Sequence, residues 1–362
     1  MSKLRIGFIG TGKKPVQASA QGYGMAHMHA VGYQQVKQDC EIVACADIVR
    51  ENGEAFAEMF GVPKNAVYTS YHDMLAKEKL DIVSICTWPK LHAQMAIDAA
   101  KHKPKAIFCE KPMAYNFGDC KRMHQVCVEN GTQLCFNHQR RYGKPFRIAR
   151  KLIEEGAIGK LQRVEFCCGD IYDYGTHSFD LSGYLAGDIN AKWVIAQIDY
   201  RELKLIFGAH CENQAIVQWE YQNGVSGFAS CGIGSHIVNA HNKAVGSDGI
   251  IEIGSYDPAA EKRPLRIRKF GAKDWEYLDT SGEGPHGPGY IERAIADFIA
   301  CVKENRTCEL SSHTALKGTE IIFAAYQSAR IRGRVDLPLL IEDHPLVEMV
   351  NWGELRPVPK PQ

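Results

Sequence analysis

Ala106-Ile107-Phe108-Cys109-Glu110-Lys111-Pro112 is the stretch on which the reading of the fold turns. Its first four residues are apolar and read as a buried strand, and a carboxylate, an amine and a proline follow directly. In a parallel α/β sheet the carboxyl ends of the strands border the crevice where ligands bind. A lysine there is placed for chemistry, while the proline stiffens the turn and removes a backbone donor. The plain alternative is a solvated lysine in an ordinary strand-to-helix turn. The flanking sequence has to choose between them.

Working outward, short apolar runs alternate with helical patterns. Leu4 to Ile9 reads as the first strand, and Gly10-Thr11-Gly12 follows at once. A glycine turn in this position lets backbone approach a pyrophosphate, whose charge then meets a helix N-terminus. The spacing departs from plain GxGxxG. Lys13-Lys14-Pro15 and small polar residues intervene before Gly22-Tyr23-Gly24, and the helical pattern starts only at Met25, so an insertion of about ten residues is read within the turn. A glycine-rich surface loop is the competing account. Strand Glu41 to Ala46 ends at Asp47, where a carboxylate accepts hydrogen bonds from ribose hydroxyls and repels a 2′-phosphate. That favours NAD over NADP, although a helix N-cap is a second role for Asp47. Helix Arg50 to Phe60, the short segment Val67-Tyr68 and helix Tyr71 to Lys77 come next. Then follow strand Asp81 to Cys86, helix His92 to His102, the strand quoted above, helix Phe117 to Asn130 and strand Thr132 to Phe136. This alternation predicts a Rossmann-type doubly wound parallel sheet.

The order of glycine turn, Ala46-Asp47, Cys86-Thr87…Leu91-His92 and Glu110-Lys111-Pro112 resembles the glucose–fructose oxidoreductase/inositol dehydrogenase/rhizopine catabolism family of NAD(P)-dependent oxidoreductases. The resemblance implies that an NAD cofactor is held by Gly10, Thr11, Gly12, Gly24, Met25, Asp47, Thr87, Trp88, His92, Glu110 and Lys111. It departs from the family in the insertion after Gly12 and in Pro89, where such proteins often carry Asn.

The second half adds Asp173-Tyr174-Gly175-Thr176-His177-Ser178-Phe179-Asp180. If a helix begins near Thr176, His177 and Asp180 share a face, and Asp173 lies one turn earlier. The family carries Asp-x-x-x-His-x-x-Asp here, and Asp173, His177 and Asp180 match it. Oxidising a secondary alcohol sends a hydride to nicotinamide and a proton to a base. Histidine, with an ordinary pKa of about 6.5, holds such a proton near neutrality. A lysine beside the reacting oxygen steadies developing negative charge. The expected roles are His177 as acid/base, Lys111 as orienter and Asp173 as substrate or imidazole holder, with helix packing or capping for Asp180. Arg141, Tyr142 and the loop residue His286 are further substrate-binding candidates, as is Arg140. Ion pairing is the alternative for the two arginines. Beyond them the chain is strand-rich, with runs at Lys192 to Ile198, Leu203 to Phe207, Gln214 to Tyr221, Val225 to Cys231, Ile250 to Ile253 and Leu265 to Phe270. They predict a large, mostly antiparallel open sheet. In the family, helices cover one face and a second subunit often meets the other. Helices Gly289 to Glu304 and Leu316 to Arg330 complete the expectation.

At 362 residues the chain is expected to form an NAD-binding Rossmann domain over 1–138, a substrate-binding and oligomerisation α+β domain over 139–341 and an extended tail over 342–362. Forty-three basic residues balance 42 acidic ones, so no field of one sign attracts nucleic acid or an anionic membrane. No apolar run approaches the roughly 20 residues of a bilayer span. Met1 to Arg5 leads straight into the first strand, so no signal peptide is expected. Thirteen cysteines without a CxxC pair read as reduced thiols of a cytoplasmic protein. No metal is expected, because His27-Met28-His29 places its imidazoles on different helix faces. The leading expectation is an NAD-dependent dehydrogenase of a ring hydroxyl on a sugar, glycoside or cyclitol, with C3 of a glycoside included, acting as a homo-oligomer. A redox-assisted glycoside hydrolase or lyase and a non-catalytic nucleotide sensor are the alternatives.

Overall fold

The computed structural model describes residues 2–13 and 24–359. The insertion read between Gly12 and Gly24 therefore lies almost wholly outside the described residues. Two units divide the chain.

The first contains a six-stranded, all-parallel sheet. Its elements are β1 (Leu4–Ile9), α1 (Met25–Gln35), β2 (Cys40–Ala46), α2 (Arg50–Phe60), β3 (Val67–Tyr68), α3 (Tyr71–Lys77), β4 (Ile82–Ile85), α4 (Pro89–Lys101), β5 (Ala106–Cys109), α5 (Phe117–Glu129) and β6 (Gln133–Phe136). The strand order is β3-β2-β1-β4-β5-β6. Every residue of β4 and of β5 is buried, as expected of central parallel strands covered on both faces. Gly61 stops α2 at φ 76°, its N–H bonded to Ala57 O. The order reverses between β1 and β4, so the carboxyl ends of β1, β2, β4 and β5 line the ligand-binding edge.

The second unit is built on a nine-stranded mixed sheet. After α6 (Lys144–Glu154) come β7 (Leu161–Cys168), α7 (Gly175–Ala186), β8 (Ala191–Asp199), the small hairpin β9 (Leu205–Ile206) and β10 (Ala209–His210), β11 (Gln214–Tyr221) and β12 (Ser226–Gly232). Then follow β13 (Ala240–Gly246), β14 (Gly249–Ser255), β15 (Leu265–Lys269), β16 (Glu276–Tyr277), α8 (Tyr290–Glu304), α9 (Ser312–Ile331), β17 (Val335–Asp336) and α10 (Pro345–Asn351). The sheet order is β16-β15-β14-β13-β7-β12-β11-β8-β17, antiparallel except where β7 meets β12. Phe179 of α7 packs on Phe166 and Trp219 with ring centroids 4.8 and 5.2 Å apart, which seats α7 on the sheet. Along β8 and β11 burial alternates, and Ile195 and Ile216 stay exposed on the other face.

Three differences from the sequence expectations have physical causes. Residues 291–315 belong with the parallel sheet rather than with the second unit, because Phe298 of α8 packs on Phe108 of β5 at 4.9 Å and Phe136 N–H bonds Leu310 O. The tail is not extended throughout. Pro345 at a helix start, with Leu346 and Met349 buried three residues apart, makes α10 an amphipathic helix. Strand β13 was not anticipated, because His241 and Asn242 interrupt its apolar pattern. Both are nonetheless buried at the centre of the sheet.

Candidate active site

In the first unit Gly10 and Gly12 both carry positive φ, 81° and 61°. A Cβ on Gly10 would lie 2.6 Å from Thr87 Cγ2 and 3.0 Å from Cys86 O, so β1 and β4 close against each other only through glycine. A Cβ on Gly12 would meet no atom of the described residues within 4 Å, so the turn is uncrowded on that side. Asp47 holds this turn. Its Oδ2 accepts from Thr11 N–H at 2.9 Å, Thr11 Oγ1 at 3.0 Å and Gly12 N–H at 2.8 Å, and its Oδ1 accepts from Val49 N–H at 2.9 Å. The carboxylate thus ties the ends of β1 and β2 together besides serving as a candidate ribose reader. Gly24 takes φ 79° immediately before α1, and Met25 opens that helix. These residues fit a dinucleotide: an open glycine backbone, a helix start and a carboxylate at the end of the second strand.

Beneath Lys111 lies a buried polar network that the sequence barely advertised. Glu110, 5% exposed, accepts from Asn137 Nδ2 at 2.7 Å and stands 2.8 Å from His29 Nε2. The other nitrogen of His29 meets Ser84 Oγ at 3.0 Å. Glu110 Oε2 also accepts the Lys111 N–H at 3.2 Å. Burial alone would favour the neutral acid, but His29, Asn137 and the Lys111 charge hold the Glu110 carboxyl below the usual carboxylate range. An ionised group locked under the strand end fixes the direction of the chain through half-buried Lys111. His92 does a second fixing job. It is fully buried, with Nδ1 2.8 Å from Pro112 O and Nε2 3.0 Å from Thr87 O, and burial lowers its pKa. The neutral ring donates to one of these carbonyls at a time. His92 thus lies between two strand-end turns, in contact with a carbonyl of each. Trp88 is 56% exposed at the start of α4, and Thr87 Oγ1 turns to Met95 Sδ at 3.4 Å.

In the second unit Asp170 prepares the start of α7. Its Oδ1 accepts from Asp173 N–H at 2.6 Å and Tyr174 N–H at 3.2 Å, an Asx-type cap that curls the chain into the helix. His177, 4% exposed, then sits in the first turn, its N–H bonded to Tyr174 O at 3.2 Å, and Asp173 stands half-buried one turn earlier. Below this segment, fully buried Glu212 accepts from Ile171 N–H at 2.7 Å and from Tyr326 Oη at 2.6 Å. Burial and the nearby Asp170 charge push the Glu212 carboxyl up to about 7.

Tyr174 is the centre of a further cluster. Its hydroxyl lies 3.2 Å from His241 Nε2 and 3.2 Å from His286 Nε2, and the Arg140 guanidinium stacks 4.5 Å from its ring centre. His286 thus comes beside the segment that leads into α7. The sequence offered no signal for His241. Arg141 behaves differently. It is 1% exposed, its Nε and Nη2 fork onto the Asp180 carboxylate at 2.7 and 2.9 Å, and Nη1 and Nη2 reach Asp188 at 3.1 and 2.8 Å. These bonds engage Arg141 with two carboxylates, the ion pairing that the sequence offered as its alternative role. Tyr142 is buried beneath Arg147, whose guanidinium stacks 4.7 Å above the ring.

Groups with metal-ligand chemistry do converge at one place among the described residues, where Asp297, Cys301 and Cys308 bring ligand atoms within 4.8 Å of one another. Arg306 already supplies positive charge there, donating to Asp297 Oδ1 at 2.6 Å and Cys301 Sγ at 2.7 Å. All thirteen cysteines are free thiols, and only Cys86 is not buried. Among the described residues no helix is long and apolar enough to cross a membrane.

Residues 4–138 match the model of an oxidoreductase family with an NAD-binding Rossmann fold, and residues 161–337 match the C-terminal α/β domain of the same family. The chain is 26% identical over 300 residues to inositol 2-dehydrogenase of Salmonella paratyphi B, covering 74% of this chain and 87% of the relative. Over 359 residues it is also 26% identical to myo-inositol 2-dehydrogenase of Thermotoga maritima, covering 93% and 100%. The crystal structure of the WlbA dehydrogenase from Bordetella pertussis, in complex with NADH and UDP-GlcNAcA, superposes with a TM-score of 0.72. It does so at 22% identity, covering 94% of this chain and all of that one, a likeness of fold.

Proposed function

Because the chain belongs to the glucose–fructose oxidoreductase/inositol dehydrogenase/rhizopine catabolism family of NAD-binding oxidoreductases, we propose that it transfers a hydride between NAD and a ring secondary alcohol of a small sugar, glycoside or cyclitol. The observation that carries this reading is the Ser84–His29–Glu110–Asn137 network under Lys111. Burying an ionised carboxylate costs several kcal/mol before its partners repay it. An ordinary strand-end turn has no need of one. Bound NAD supplies the hydride acceptor. Lys111 orients the substrate hydroxyl and steadies the negative charge that develops as its proton leaves, and His177 takes that proton. Asp173 holds either the imidazole or a neighbouring sugar hydroxyl. Asp47 disfavours a 2′-phosphate and makes NAD the preferred form over NADP. We assign C3 of a glycoside as the finer target. A second copy of the chain is proposed to dock on the sheet face that exposes Ile195 and Ile216.

His177→Ala or Lys111→Ala should lower kcat by about 10²- to 10⁴-fold while NAD affinity, read by fluorescence titration, stays within a few-fold of the parent. Near-normal turnover in either variant would remove that residue from the chemistry.

A further inference from the structure

Arg140 is a buried cation with no carboxylate partner among the described residues. It is 7% exposed, and its side chain meets neutral groups: Nη1 stands 3.1 Å from His241 Nε2, and the guanidinium stacks on Tyr174. His241 Nδ1 lies 2.6 Å from Asn242 Oδ1 and donates to it, which turns the Nε2 lone pair toward Arg140 and the Tyr174 hydroxyl. The Asn242 amide nitrogen is buried without a hydrogen-bond partner among the described residues. Burial and the Arg140 charge push His241 well below the ordinary imidazole range, and His286 down to about 4 by the same causes. Near neutral pH the two imidazoles are therefore uncharged, and the cluster carries one unbalanced positive charge. A buried charge is ordinarily paired. The cluster sits at Tyr174, whose carbonyl accepts the His177 N–H.

We propose that Arg140, flanked by Tyr174, His241 and His286, is the anion-recognition group of the second unit, and that the substrate is a sugar acid whose carboxylate pairs with it. The guanidinium fork matches a carboxylate in two parallel hydrogen bonds. The neutral imidazoles and the tyrosine hydroxyl around it add no charge to repel or over-attract a monoanion. This deepens the dehydrogenase reading and rests on it for the identity of the second unit as the substrate-binding one.

The test separates binding from turnover. Glucuronate, galacturonate and methyl glucuronide, their neutral counterparts glucose, galactose and methyl glucoside, myo-inositol and glucose 6-phosphate are titrated calorimetrically into the full chain with NAD present. Nicotinamide reduction is followed in parallel. At least one acid should bind 10-fold or more tighter than its neutral counterpart. In Arg140→Gln that preference should collapse to near unity. Arg140→Lys, which keeps the charge and loses the fork, should retain part of it and guards against a folding defect in the first variant. Equal binding of acids and neutral sugars, tighter binding of glucose 6-phosphate than of every carboxylate, or a preference that survives Arg140→Gln would each overturn the inference. Arg140-dependent binding of an acid without any nicotinamide reduction would support the anion site while overturning the dehydrogenase reading. Reduction confined to neutral sugars would do the reverse.

Discussion

Arg140 and Arg141 are adjacent in sequence and both buried, yet their surroundings differ. Arg141 is enclosed by Asp180 and Asp188, whose four carboxylate oxygens include one that takes its Nε and others that share its two terminal nitrogens. Arg140 faces an aromatic ring and an imidazole lone pair. A buried cation with its counter-charges is a structural part. One without them either costs stability or awaits a partner. Adjacent side chains of one 3₁₀ turn point in different directions, so a single register step separates the two fates.

The comparison can be broken experimentally. Arg141→Met should give the largest effect, since it strands buried Asp180 and half-buried Asp188. A loss of about 3–5 kcal/mol in unfolding free energy is expected from denaturant melts. A loss under about 1 kcal/mol would mean that water reaches the pair. Arg140→Met should behave in the opposite sense in the ligand-free protein. Removing an unpaired buried charge should leave stability unchanged or raise it by up to about 2 kcal/mol, less what the stack on Tyr174 contributed. A large loss would show that Arg140 has a structural counter-charge after all. The smallest effect is on titration. His286 is pushed down to about 4 by burial and then by the Arg140 charge, because a neighbouring cation disfavours the imidazolium. Arg140→Met should therefore move the His286 pKa upward, part of the way toward the ordinary value near 6.5, as read from its ring-proton chemical shifts. An unmoved His286 would separate it electrically from Arg140.

The first unit was largely legible in the sequence because parallel strands buried on both faces write themselves as apolar runs. Ala106 to Cys109 is wholly apolar and is β5, and Leu4 to Ile9, ending at the glycine turn, is β1. The positive φ of Gly10 follows from a steric need that residue type announces, whereas the hold of Asp47 on Thr11 and Gly12 emerged only in the structure. The second unit was less legible where its strands bury polar groups. His241 and Asn242 in β13 pair with each other and with residues far away in the chain, so local periodicity misreads them. Helix α8 looked like part of the second half because sequence order says nothing of the aromatic contact between Phe298 and Phe108. Helix α10 was hidden by the prolines around it, although Pro345 starts a helix more readily than it breaks one.

By itself the sequence determined a Rossmann-type parallel sheet, a carboxylate at the end of its second strand, and a lysine at the end of β5 in Glu110-Lys111-Pro112. Those features depend on short-range patterns of apolarity, glycine and proline. Only the tertiary structure decided that Glu110 is an ionised anchor held by His29 and Asn137, that His92 clamps two turns, and that Arg141 is paired while Arg140 is not. A charge takes its energy from whatever lies within a few ångströms of it. Within the chain those neighbours come from residues 27 to 101 positions away.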